Sequence, residues 1–148
     1  MRSLTLQVGA AGALIEVDIG LSDAHRRAMQ RLGMKAPPYV QATLLIDTGA
    51  SSTLVDEGLM RTLQLQPTSA TLMHSSSTKG VAQPCSVYDV GLVLGGLATP
   101  NAIRFDPLPV LGTAFINSGC NGLLGRDVLR RLHLHWNGPA GTARVEYN

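Results

Sequence analysis

Asp47 stands where the apolar run Tyr39–Ile46 ends, and Thr48, Gly49, Ala50, Ser51 and Ser52 follow it. A carboxylate delivered by a buried strand into small and hydroxyl residues is placed for general acid–base work. Small neighbours leave room for a substrate, and hydroxyls supply hydrogen bonds. The plainer reading is an aspartate that caps a turn at a strand end. Asp-Thr-Gly alone does not separate the two, because so short a motif recurs by chance; its surroundings favour chemistry. Other candidates are weaker. His133 and His135 sit two apart on a strand-like segment, but no Cys, Asp or third His stands at ligand spacing, so no metal is expected. His74 with Ser75-Ser76-Ser77 lacks the Gly-x-Ser-x-Gly elbow of a serine nucleophile. Gly91–Gly96 departs from phosphate-loop spacing and reads as a strand-end turn, so no cofactor is expected.

The elements that must position Asp47 are mostly strands. Residues 4–9 and 13–20 alternate apolar with polar positions around Ala10-Ala11-Gly12, which predicts an opening β-hairpin. Ser22 is a fitting N-cap for a helix over Asp23–Leu32, whose apolar stripe is Ala24, Ala28, Met29 and Leu32, with Gly33 ending it. Residues 39–46 are apolar nearly throughout, which predicts a strand buried on both faces. A short helix is expected within 53–65, with Leu54, Leu59, Leu63 and Leu65 as core candidates. Residues 70–97 read as a long hairpin turning at SSTKG, with Pro84 marking an edge position. Residues 99–119 look irregular because Pro and Gly punctuate them. A helix is expected from about Asp127, and LHLHWNG with TARVEYN predicts a closing hairpin.

Composition supports one β-rich domain over 1–148. The 16 glycines and 8 prolines are scattered, as expected for many short elements joined by turns. Charged residues form only 15% of the chain, so part of its surface is expected to meet a partner. The formal charge of +2 is too small and dispersed to expect nucleic acid. Arg26-Arg27 with Arg31, and Arg130-Arg131, read as solvated helix faces. The N-terminus builds no apolar h-region, and no run approaches the roughly 18 apolar residues of a spanning helix, so a cytoplasmic, membrane-free protein is expected. Cys85 and Cys120 lack paired spacing and read as free, partly buried thiols.

Leu45-Ile46-Asp47-Thr48-Gly49-Ala50-Ser51 resembles the catalytic loop of the retropepsin-like aspartic proteases. Gly122-Leu123-Leu124-Gly125-Arg126-Asp127 is similar to that family's apolar-apolar-Gly-Arg-Asn/Asp segment, and the Met73–Leu94 hairpin, with Val87-Tyr88-Asp89, takes the place of its flap. The resemblance covers roughly residues 40–135; the 22–33 helix and the closing hairpin look like elaborations. It implies an all-β fold with one or two short helices, a closed acid-protease barrel active as a C2 homodimer. It also implies a split titration of two carboxylates that share one proton; the aspartic-protease dyad is a standard example of such pairing. With one Asp-Thr-Gly in the chain, the pair forms only if two copies bring Asp47 against Asp47.

By the same resemblance, Thr48 bridges the two loops, while Gly49 and Ala50 leave room for substrate backbone. Gly49, Ser51 and Ser52 bind substrate from below, and Thr78, Lys79, Gly80 and Val81 bind it from the flap. Gly125, Arg126 and Asp127 are structural. Ser51 and Ser52 stand where retroviral members commonly carry acids, so the partner of Arg126 is open: Asp56, Asp127 or a backbone carbonyl. The implied activity is endopeptidase cleavage of an extended peptide, a homodimer being the enzyme. The alternative is a catalytically silent dimerisation or peptide-binding module. A domain cut from a mobile-element polyprotein is a third reading.

Overall fold

The structure, a computed structural model, describes residues 1–74, 80–115 and 119–148. Strand β2 (Gly12–Leu21) shows how the sequence pattern becomes a barrel wall. Its alternate residues Ala13, Ile15, Val17, Ile19 and Leu21 are all at most 2% exposed, the period-2 signature of a strand with one face on the core. On one side β2 pairs antiparallel with β3 (Val40–Ile46), and on the other with β6 (Gln83–Leu94). From β6 the ladder continues through β7 (Ile103–Thr113), β4 (Leu54–Asp56) and β8 (Gly122–Leu124) back to β3, closing a barrel of six strands. Leu44, Val55, Val90, Leu92, Ile103, Phe105, Val110 and Leu124 fill it from the other walls. Full burial of one such side chain contributes roughly 1.5–3 kcal/mol.

The remaining strands lie outside the ring. β1 (Arg2–Gly9) meets β2 only at Val8↔Ala13 and Gly9↔Gly12, then leaves it to pair along Arg2–Gln7 with β10 (Thr142–Tyr147). The opening hairpin is therefore only a hairpin tip. The closing hairpin forms as expected, β9 (His133–Asn137) against β10, and it is no appendage: Ala143 and Val145 of β10 are buried in the core. β5 (Ser69–Met73) pairs with β6 as the arm of a long hairpin; its expected turn lies partly outside the described residues. Pro84 faces β5 alone, since β7 joins β6 only from Ser86 onward, so it occupies an edge as expected.

Three further expectations need correction. Residues 103–113, read as irregular, form an eleven-residue strand. Pro107 and Pro109 are tolerated because, among the described residues, β7 has a strand neighbour on its second side only at Leu111–Thr113, which leaves nitrogens that cannot donate facing no ladder partner there. β3 is buried on one face, through Ala42, Leu44 and Ile46, and half-buried on the other. α1 (Asp23–Arg31) forms where expected, yet it buries no residue, and Leu32 is 75% exposed. The helix approaches the barrel through Met29 and through Arg26, whose guanidinium lies 4.8 Å over the Tyr39 ring. The 53–65 helix is α2 (Glu57–Thr62), preceded by β4, and Leu54, Leu63 and Leu65 are buried with Leu59 packed against them. Arg130 and Arg131 lie beyond α3 (Arg126–Leu129), and the Arg131 guanidinium sits 4.6 Å over the Phe105 ring. No helix among the described residues is long and apolar enough to cross a membrane.

The start of α1 carries a pH-sensitive contact. The Ser22 hydroxyl oxygen accepts the His25 N–H at 3.2 Å, and both Asp106 carboxylate oxygens lie 3.2 Å from the Asp23 nitrogen. Burial pushes the Asp106 carboxyl above its ordinary range, opposed by the Asp23 N–H. The folded chain thus holds the Asp106 proton more tightly than the unfolded chain. That contribution is present below the unfolded value and is lost as pH rises through the folded one. Asp106→Asn is expected to gain stability relative to the parent as pH rises from about 4 to 7, by under about 1 kcal/mol because the carboxyl is partly solvated. Melting curves of both proteins across that range check it; a constant or shrinking advantage contradicts it.

Candidate active site

β8 is inserted between β3 and β4, parallel to the first and antiparallel to the second. The loop from Asp47 to Thr53 must therefore pass over the end of β8, and backbone meets backbone there. A Cβ on Gly125 would stand 2.5 Å from the Ser52 carbonyl carbon, and one on Gly122 would overlap the Leu54 carbonyl oxygen. Hydrogen bonds lock the crossing: Asp47 N–H donates to the Leu124 carbonyl at 3.0 Å, and Arg126 N–H to the Ala50 carbonyl at 2.8 Å.

Thr53 is the hub, and it was not recognised from sequence. Fully buried, it donates its N–H to Asp127 Oδ2 at 3.0 Å and its hydroxyl to Asp127 Oδ1 at 2.8 Å. Its Oγ1 accepts the Gly125 N–H at 3.2 Å. Asp127 Oδ1 also accepts the Val128 N–H at 2.9 Å. One carboxylate thus fastens the catalytic-type loop to the start of α3. Asn121 plays a parallel part at the other end of β8, its side-chain oxygen accepting the Thr43 N–H at 2.8 Å and its carbonyl the Asp56 N–H at 2.9 Å. The only sequence sign of either was a polar residue beside an apolar run, which many surface positions share.

Asp47 emerges half-buried at the end of β3, with Oδ1 accepting the Gly49 N–H at 2.8 Å. A Cβ at Gly49 would come within 3.1 Å of that oxygen, so glycine keeps the carboxylate uncrowded. Thr48 and Gly49 are exposed, and the Thr48 carbonyl accepts from Arg126 Nη1 at 2.9 Å. Of the three partners left open for Arg126, this is the backbone carbonyl. Asp127 is engaged by Thr53, and Asp56 Oδ1 accepts the Phe115 N–H at 3.1 Å.

A cleft of about 600 Å³ opens over Asp47. Gly49, Ala50, Ser51 and Ser52 line it beside Asp47, and Leu54, Met73, His74, Leu111, Phe115 and Leu123 wall it. The structure thus gathers Asp47, Gly49, Ala50, Ser51 and Ser52 in one place. Gly80, at φ +79, and exposed Val81 belong to the hairpin arm and do not line this cleft; Thr78 and Lys79 lie outside the described residues. The wall from Leu111 to Phe115 escaped sequence reading because β7 did. His133 and His135 stand on β9, where His135 Nε2 lies 3.1 Å from Glu146 Oε2. Among the described residues no cluster of three His, Cys, Asp or Glu could hold a metal. Cys85 and Cys120 are free thiols; burial, and then the Glu57 charge, pushes the Cys85 thiol up.

A closed six-stranded barrel of this kind is the retropepsin-like fold of aspartic proteases. The sequence profile of an aspartyl protease family matches residues 39–128, well over half of the chain, and the protein belongs to that family. Among solved structures, a retropepsin-like aspartic protease from Rickettsia conorii is similar, with a TM-score of 0.57 and 14% identity over 98% of this chain and 90% of that one. At that identity the likeness carries the fold. No curated protein sequence matches the chain.

Proposed function

We propose that the chain, one domain over 1–148, is one half of an aspartic endopeptidase whose active site forms when two copies bring Asp47 against Asp47 across a two-fold axis. The observation that carries this reading is a lone carboxylate, uncrowded and half-exposed, at the floor of an open cleft in an aspartyl protease barrel. One carboxylate is half of the chemistry. In the pair, the ionised member takes a proton from water as the water oxygen attacks the peptide carbonyl, and the protonated member gives its proton to the carbonyl oxygen. Collapse of the resulting gem-diol breaks the C–N bond, with a proton passing to the amine.

Exposed Thr48 is free to bond across the axis, Gly49 and Ala50 leave space for substrate backbone, and Ser51 and Ser52 offer it hydroxyls. Gly125, Arg126 and Asp127 hold the loop rather than the substrate. The part of the β5–β6 hairpin around residues 73–94 acts as the flap, with Thr78, Lys79, Gly80 and Val81 as its substrate-binding residues. An extended peptide between flap and loop gains main-chain hydrogen bonds and places alternate side chains in the cleft. The setting we propose is cytoplasmic, with neither nucleic acid nor membrane as partner.

Sedimentation and peptide cleavage, measured together over a wide dilution range, test the reading. Cleavage is expected to track the dimer and to be blocked by a statine-type inhibitor. A monomer that cleaves with unchanged specific activity overturns the shared site. A verified dimer that cleaves nothing in a diverse peptide library favours the silent binding module instead.

A further inference from the structure

We propose that the segment from α1 to Lys35 is a docking surface, and that its occupant is an acidic amphipathic helix of a partner protein. Charge is spread unevenly along the chain. Residues 24–46 hold 4 of the 12 basic residues, Arg26, Arg27, Arg31 and Lys35, and none of the 10 acidic ones, so the remainder carries 8 basic against 10 acidic. Arg26 turns inward over Tyr39, whereas Arg27, Arg31 and Lys35 are exposed and have no acidic partner among the described residues. Apolar surface stands beside these charges. Ala24, Ala28 and Leu32, spaced four apart, share one face of the helix, and Arg27 and Arg31 run alongside it. α1 buries no residue, and Leu32 and Met34 are 75% and 54% exposed.

The surface is held in shape at both ends. A nine-residue helix is marginal by itself, but the Ser22 hydroxyl caps its start. At its end, Gly33 N–H donates to the Gln30 carbonyl at 3.0 Å and Met34 N–H to the Met29 carbonyl at 2.9 Å, with Gly33 at φ +71. Met34 is thereby fixed at the helix end with Leu32. The make-up of the surface selects its occupant: unpaired cations call for an anionic partner, and Leu32 and Met34 for one that also offers apolar side chains. Ala24 and Ala28 add little bulk, so a helix can lie close along the row, while a bilayer would find little there to bury. α1 follows the Leu21 end of β2, whereas Leu14, toward the other end, pairs with Leu45 beside Asp47. The strand between spans roughly 20 Å, and no residue of 24–35 lines the cleft. A partner seated on α1 leaves the cleft open, and the surface does not depend on the protease reading.

The probe is a labelled helical peptide of about 16 residues with Leu along one face and Glu beside it, compared with its Gln counterpart by fluorescence anisotropy on the full chain. The Glu peptide is expected to bind about tenfold tighter than the Gln peptide in roughly 50 mM salt, and no more than about twofold tighter in about 1 M salt. Arg27→Gln with Arg31→Gln is expected to remove most of that advantage. Leu32→Ser with Met34→Ser is expected to weaken the Glu peptide by about fivefold at both salt concentrations. All four side chains are exposed, and melting curves of both variants check that the fold is kept. Equal affinity for the two peptides, affinity unchanged in both variants, or no binding overturns the proposal. An acidic peptide without Leu that binds as tightly also overturns it, as a plain polyanion effect. Anionic phosphatidylglycerol vesicles that bind the same residues more tightly than the Glu peptide overturn it in favour of a membrane surface.

Discussion

If the proposed shared site is right, Asp47→Asn is expected to lower peptide cleavage by about a thousandfold or more while leaving the fold and the proposed dimer intact. The amide has the shape of the carboxylate, and its oxygen can still accept the Gly49 N–H that Asp47 Oδ1 accepts at 2.8 Å. What it cannot do is take a proton from water at neutral or acidic pH. Because the proposed site needs both loops, one defective copy should silence its partner. After complete subunit exchange with a ninefold excess of the variant, parental activity should fall to roughly one-tenth, the share of parental chains that still pair with each other. Activity that stays unchanged after exchange would mean that each chain carries its own complete site. Circular dichroism and sedimentation of the variant guard against a trivial loss of structure.

Gly122→Ala is expected to give the largest loss of stability from a single added methyl group. β8 passes so close to β4 that a Cβ at Gly122 would overlap the Leu54 carbonyl oxygen and stand 3.0 Å from the Val55 Cα, and these are backbone atoms with no rotamer to escape through. Relief requires β4 and β8 to separate at Val55↔Gly122, beside the crossing that holds Asp47. Overpacking against backbone of this kind should cost about 3 kcal/mol, a fall of roughly 6–12 °C in Tm at fixed protein concentration. Gly9→Ala is the control, since nothing lies within 4 Å of a Cβ there, and it should change stability by less than about 0.5 kcal/mol. Equal melting points for the two variants would show that β4 and β8 do not approach as closely as the barrel requires.

The contrast between Gly122 and Gly9 separates what a linear sequence can encode locally from what it cannot. Alternation along residues 13–21 already marks one face for the core, because a strand's side chains alternate whatever it pairs with. Ser22 and Gly33 bracket a helix for equally local reasons, a hydroxyl accepting the His25 N–H and a backbone at φ +71. The position of Asp47 at a strand end is marked in the same way, by an apolar strand running into small residues.

Pairing partners carry no such local mark. Nothing near Arg2–Gln7 says that it leaves β2 for β10 at the far end of the chain, nor that β8 lodges between β3 and β4. β7 stayed hidden because its prolines forbid a central strand in general, and only the packed sheet shows that, among the described residues, no ladder partner faces their nitrogens. Arg126 found a backbone carbonyl, a partner every residue possesses and no side-chain pattern advertises. Thr53 joined Asp127 across 74 positions of sequence because the loop crosses β8 there. Local periodicity assigns faces, and long-range packing chooses which faces meet; the catalytic-type carboxylate belongs to the first, and the scaffold that aims it belongs to the second.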